Sequence, residues 1–233
     1  MAFSKWYFGM NGDSNVPPAY PTCGNGPNFY IGRLGGEETA GGGPFILATA
    51  ALVGAQLTSS YWDVSGPGSL TGTAATEWGI GQASAYITAF QAASSYCQGT
   101  TLFADIEPKN GGWTNGNSVP NRNVLVGFLS SLSEAGYYPG VYISKDNWDN
   151  YFGASYVSPA AFVLWLANAY CGTTCTEAGN SFNNLYDSGA YDRGGYKVMI
   201  WQYVTTDCSG ETQDLNVTPY TGYQNGHWNP TAS

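Results

Sequence analysis

The sequence predicts an α/β chain folded as a (β/α)8 TIM-like barrel with abbreviated or missing late helices. Eight short apolar segments read as strands, and helical periodicity separates several of them. Several strands are apolar at successive positions, the pattern of strands covered on both faces in a parallel sheet. Helical signals fade between the sixth, seventh and eighth strands, which shortens the late part of the barrel.

Residues 6–10 predict the first strand and residues 28–33 the second. The Gly-rich stretch that follows lacks the Lys and the spacing of a phosphate-binding loop. Residues 44–55 predict a helix with Pro44 in its first turn, and residues 56–61 the third strand. Trp78, Ala85, Ile87, Phe90 and Ala93 recur near helical spacing and predict a long helix over 74–96. Residues 101–107 predict the fourth strand. Val124, Leu125, Phe128, Leu129 and Leu132 make the clearest apolar helix face, over 121–135, closed by Gly136. Residues 138–144 predict strand five, 146–151 a short helical turn and 162–167 strand six. A polar loop is expected up to residue 195, then strand seven over 197–203 and strand eight over 212–216. No repeat or linker interrupts this order. The chain reads as one domain over 1–233, with a core of about 6–217 and a loose tail over 218–233.

Composition narrows the possible partners. Of the 233 residues only 10% are charged, the formal net charge is −9, and aromatics reach 15%. Without a basic surface to neutralise phosphates, nucleic acid is excluded as a partner. A surface rich in Trp, Tyr and Asn and poor in Lys suits a neutral ligand such as a glycan. No apolar run is long enough to span a membrane. Residues 1–5 lack the apolar core of a signal peptide, although the cysteines argue for an exported protein, secreted or at the cell surface. Cys171 or Cys175 with Cys208 is one plausible disulfide, and Cys23 with Cys97 another. Cys171 and Cys175 resemble half of a metal knuckle, but no second pair accompanies them, so no metal and no cofactor is expected. His227 is the single histidine. It falls in the expected tail, which argues against Ser-His-Asp or Cys-His catalysis. Asn216-Val217-Thr218 is a glycosylation sequon.

Chemistry concentrates at Asp105-Ile106-Glu107. In an extended chain, residues two apart project to the same side, with α-carbons roughly 6–7 Å apart. Two carboxylates at the C-terminal end of a buried strand call for a reason, because burying charge is costly. In parallel barrels that end of the strands carries the chemistry. One carboxyl beside another in a walled groove has its pKa raised and can act as a general acid. Two solvated acids at a strand end are the plain alternative.

Five short motifs in order resemble glycoside hydrolase family 25, the Chalaropsis-type lysozymes, and related glycoside-hydrolase-like barrel domains. They are Asp105-Ile-Glu107, Gly140-Val-Tyr-Ile-Ser144, Leu164-Trp-Leu-Ala167, Ile200-Trp-Gln-Tyr203 and Asp214-Leu-Asn216. The resemblance implies that Glu107 is the general acid and that Asp105 beside it holds the substrate's N-acetyl group or the charge developing there. It implies a catalytic carboxylate at Asp214, and a groove lined by Tyr61, Tyr142, Trp165, Trp201 and Gln202. Two departures stand out. Gly9-Met10-Asn11 takes the place of the family's Gly-Ile-Asp, so Asn11 can hydrogen-bond a sugar but not act as a base. Asp13 lies two places later and is positioned to compensate from the loop. Tyr61-Trp62-Asp63 takes the place of Tyr-His-Phe.

Three functions follow as expectations. The first is an exported, monomeric glycoside hydrolase of cell-wall polysaccharide, with peptidoglycan N-acetylmuramidase as the leading substrate assignment. The second is a catalytically altered or inactive glycan-binding barrel, or a hydrolase of another wall polysaccharide. The third is an exported toxin or adhesin module that binds protein through its aromatic surface.

Overall fold

The computed structural model of the chain describes residues 6–12, 28–36, 57–93, 99–116, 118–168, 175–204, 214–219, 223–224 and 227–228. Among them, eight strands close a barrel in chain order. These are β1 Trp6–Gly12, β2 Phe29–Gly36, β3 Leu57–Asp63, β4 Thr101–Asp105, β5 Tyr138–Ile143, β6 Val163–Ala167, β7 Val198–Val204 and β8 Asp214–Pro219. The described helices are α1 Gly72–Ala92, α2 Ser118–Glu134, α3 Lys145–Tyr151 and α4 Cys175–Ser188, with a 3-10 turn over Pro108–Asn110. The helix expected over 44–55, Asp13, and Cys23, Cys97, Cys171 and Cys208 lie outside the described residues. Of Cys175 only the backbone, which opens α4, is described.

Strands β1 to β7 pair in parallel, as a (β/α) barrel requires. The last strand departs from that pattern: β8 runs antiparallel to both β7 and β1. A parallel return needs a crossover of about a dozen residues or more, and only residues 205–213 separate β7 from β8. The reversed strand closes the barrel by the short route.

Two expectations are corrected. The polar loop expected between β6 and β7 contains α4. Ala178, Phe182 and Leu185 recur at i, i+4 and i+7 and are buried, so the helical period is present, diluted by Asn and Ser of modest helix propensity. The tail is not loose throughout. β9 Tyr223–Gln224 and β10 His227–Trp228 form an antiparallel pair. Trp228 is fully buried edge-on to Phe29 and Phe103, and its backbone N–H donates to Thr101 Oγ1 at 3.0 Å. It plugs the floor of the barrel, while His227 stacks on Tyr138 with ring centroids 3.6 Å apart.

Alternation along the strands divides the core in two. Tyr30, Leu102, Ala104, Val141, Ile143, Leu164 and Leu166 face outward to the helices. Phe29, Ile31, Phe103, Val163, Trp165 and Ile200 fill the barrel. The apolar face read on α2 is buried throughout. A Cβ on Gly79 would lie 2.1 Å from Val124 O, and one on Gly127 2.4 Å from Thr76 O, so these glycines set how closely α1 and α2 approach.

Candidate active site

Above the apolar filling, the same alternation gives seven of the eight strands a polar residue at the mouth, while β6 turns Trp165 and Ala167 inward. Arg33 continues Phe29 and Ile31; Asp63 continues Ser59 and Tyr61; Asp105 continues Phe103. Tyr142, Gln202, Asn216, Asp214 and Asn11 complete the ring. Because β8 is reversed, Asp214 stands at its beginning rather than its end. The antiparallel register places it opposite Asn11 at the mouth.

Strand β4 stops at Asp105, two residues earlier than its pattern predicts. Glu107 keeps extended dihedrals (φ −129°, ψ 159°) and precedes the 3-10 turn that Pro108 opens. The extended backbone preserves the expected projection of Asp105 and Glu107 to one side. The strand end is pinned. Asp105 O accepts from Val64 N at 3.0 Å and from Asn110 Nδ2 at 2.7 Å, and Ile106 N donates to Tyr142 O at 3.0 Å.

The two carboxyls occupy different environments. Asp105 is buried, at 3% exposure. Burial, then the charges of Glu107 and Asp63 and a hydrogen bond with Asp63, push its carboxyl well above the usual aspartate range. The side chain of Glu107 is 27% exposed and pairs with Lys109 Nζ at 2.9 Å. Burial works against the charge on Lys109, but Asp105, Glu107 and Asp63 outweigh it and hold the ammonium charged. On the other side of Asp105, Asp63 is buried against Arg33, whose Nη2 pairs with Asp63 Oδ2.

A second network occupies the opposite side of the mouth. Tyr142 OH donates to Gln202 Oε1 at 2.6 Å. Asn216 Nδ2 donates to Asn11 Oδ1 at 2.6 Å, and Gln202 Nε2 reaches the same oxygen at 3.4 Å. Asn11 Nδ2 then donates to Asp214 Oδ2 at 3.1 Å, and Trp165 Nε1 donates to Asn216 Oδ1 at 2.8 Å. Burial, with the charges of Glu107, Asp105 and Asp214, raises the Tyr142 hydroxyl above its ordinary range, so it remains a donor.

The structure thus brings together Asn11, Asp105, Glu107, Tyr142, Gln202 and Asp214. Tyr61 and Trp165 lie just beneath them, edge to face with centroids 6.4 Å apart. Trp201 is corrected: it is buried in the outer layer and its Nε1 donates to Asn168 O at 2.8 Å. Adjacent strand residues point to opposite faces, so Trp201 and Gln202 cannot both line the groove. The sequon is corrected too, because Asn216 is fully buried and bonded on both sides of its amide. Sequence reasoning missed Arg33, Asp63, Lys109, Asn110 and Asn216 as site residues. For Asp63 the signal was available: it continues the inward series of Ser59 and Tyr61 at period two.

These features define a class: a (β/α) barrel with a reversed last strand and paired carboxyls at the C-terminal end of β4. Solved structures place it more narrowly, in the fold of the family 25 lysozymes. The family GH25 lysozyme from Aspergillus fumigatus matches with a TM-score of 0.58 at 16% identity, over 93% of this chain and 96% of that one. The spore cortex lytic enzyme SleM of Clostridium perfringens matches with a TM-score of 0.60 at 14% identity, over 92% of this chain and 67% of that one. The modular autolysin LytC of Streptococcus pneumoniae, solved with a synthetic peptidoglycan ligand, matches with a TM-score of 0.57 at 13% identity. That match covers 94% of this chain but 47% of LytC, so the chain spans about half the length of that modular protein. No protein-family model matches the sequence, and neither does any curated protein.

Proposed function

We propose that this chain is an exported, monomeric glycoside hydrolase of cell-wall polysaccharide, with peptidoglycan as substrate and the N-acetylmuramide linkage as the bond cleaved. The observation that carries the reading is the Asp105/Glu107 pair at the mouth of this barrel, one carboxyl buried and one at the rim. A glycosidic oxygen leaves poorly unless it is protonated. Glu107, the more accessible of the two, is the general acid. Asp105, beneath it, faces the 2-acetamido group or the charge that develops there. Asp214 stands across the mouth as the third carboxylate, held by Asn11. Tyr61, Tyr142, Trp165 and Gln202 form the groove floor.

Asn11 favours a second reading, a glycan-binding barrel that has lost catalysis. An amide supplies no base and no negative charge, and here its N–H₂ is directed to Asp214. Reducing-end release from peptidoglycan and from other bacterial and fungal wall polysaccharides, wild type against Glu107→Gln, separates the two. Release by wild type alone supports the hydrolase and names its substrate. Glycan binding without release from any polymer supports the binding barrel.

A further inference from the structure

Arg33, Asp63 and Asp105 stand side by side at the ends of β2, β3 and β4, and all three are buried, at 6%, 1% and 3% exposure. Asp63 and Asp105 are register partners across the β3–β4 ladder. The sheet is shaped around Asp63. The register shifts between Arg33 and Gly35, which sets Gly36 opposite Asp63. Gly36 has φ +127°, and a Cβ there would lie 2.4 Å from Asp63 Cβ. Gly35 makes room for the neighbouring ring, since a Cβ on it would meet Trp62 at 2.5 Å. A carboxylate is thus built into the wall directly behind the buried member of the acid pair.

Two buried carboxyls on register partners of adjacent strands need a proton between them, because two negative charges side by side cannot both stay ionised in a dry site. One cation and two carboxyls leave a single proton to place. Arg33 is effectively always charged and pairs with Asp63, so Asp63 takes the charge. We propose that Asp63 is a positioning residue for Asp105: with Arg33 holding it ionised, it accepts the proton that Asp105 carries and so fixes both the direction and the protonation of the Asp105 carboxyl.

The other groups around Asp105 are consistent with this arrangement. Glu107 raises the Asp105 carboxyl, and Lys109, which opposes it, is engaged by Glu107. Tyr142, the nearest titratable group on β5, is a neutral donor turned to Gln202. Asp214, on β8, is held by Asn11. Asp105 Oδ1 is buried and accepts no hydrogen bond among the described residues. A protonated Asp105 directs its hydroxyl to Asp63, and this shared proton does not depend on the proposed hydrolase or glycan-binding reading.

Titrating the aspartate side-chain carboxyls of the full chain by ¹³C NMR tests the proposal without any substrate. The resonance missing from Asp105→Asn identifies that carboxyl. In wild type it is expected to titrate above the ordinary aspartate range, and in Asp63→Asn to move down by roughly 1–2 pH units. An unchanged midpoint in a folded Asp63→Asn protein overturns the proposal. Should that variant fail to fold because Arg33 is left unpaired, the double variant Arg33→Gln/Asp63→Asn removes both charges and keeps polar groups around Asp105; a downward shift is expected there too, and its absence is equally fatal. The acidic limb of kcat/KM on peptidoglycan should move with the NMR midpoint. Absence of turnover in wild type sinks the hydrolase reading and leaves the NMR outcome to decide the role of Asp63.

Discussion

Asn11 Nδ2 donates to Asp214 Oδ2 at 3.1 Å across the antiparallel β1–β8 ladder, where the two residues are register partners. The amide is suited to that place. It gives a proton to a carboxylate on one side and accepts from Asn216 and Gln202 on the other. An aspartate there would set two carboxylates against each other.

Asn11→Asp should therefore destabilise the protein at neutral pH by about 1–3 kcal/mol, through the lost bond and the like-charge contact. The contact raises a folded-state carboxyl pKa above its unfolded value. The missing stability is then recovered below the unfolded carboxylate range and lost as pH rises. Thermal melts across pH 4–8 check this; a deficit that persists unchanged in acid would contradict it.

Asp105→Asn should make the protein more stable than wild type at pH 7 while impairing any hydrolysis. The folded pKa of Asp105 is raised, chiefly by burial and then by Glu107 and Asp63. Its contribution is fully present below the unfolded aspartate value of about 3.9 and is lost as pH rises through the folded value. Asparagine removes that loss. Denaturant titrations at acidic and neutral pH measure the difference in slope.

Glu107→Gln should lower reducing-end release by about 10²–10⁴-fold, the usual worth of a general acid. Stability should change little, because the side chain is at the rim and its partner Lys109 is 47% exposed. Full release by the variant would reassign the acid.

Tyr142→Phe should cost about 1–3 kcal/mol, since it removes a 2.6 Å bond and strands Gln202 Oε1 in a buried site. Gln202→Met in the same background should recover part of the loss. Urea denaturation of the single and double variants gives the coupling.

Trp228→Ala should cost about 3–5 kcal/mol, the range for emptying a buried aromatic site. The substitution lies at the barrel floor, far in the chain from the strands it plugs. A melting temperature equal to that of wild type would show that β10 contributes nothing to the barrel.

Most of the barrel was legible in the chain because its signals are local. Period-two strands and the apolar face of α2 announce themselves within a few residues, and Asp105-Ile106-Glu107 shows two acids on one side. The helix α4 was hidden by its polar composition, although Ala178, Phe182 and Leu185 held the period. Trp201 and Gln202 share one motif, but strand alternation turns Trp201 outward and Gln202 inward.

Local patterning in the chain carries the strand positions, the apolar face of α2 and the placing of Asp105 and Glu107 on one side, since each depends on neighbouring residues. Barrel closure supplies what surrounds the two carboxyls. The reversal of β8 brings Asp214 and Asn216 to Asn11, the β2 bulge sets Gly36 against Asp63, and β10 carries Trp228 under Phe103. These contacts join segments up to 205 residues apart. They follow from closure of the barrel and from the cost of burying charge without a partner, neither of which is written in any short stretch of chain.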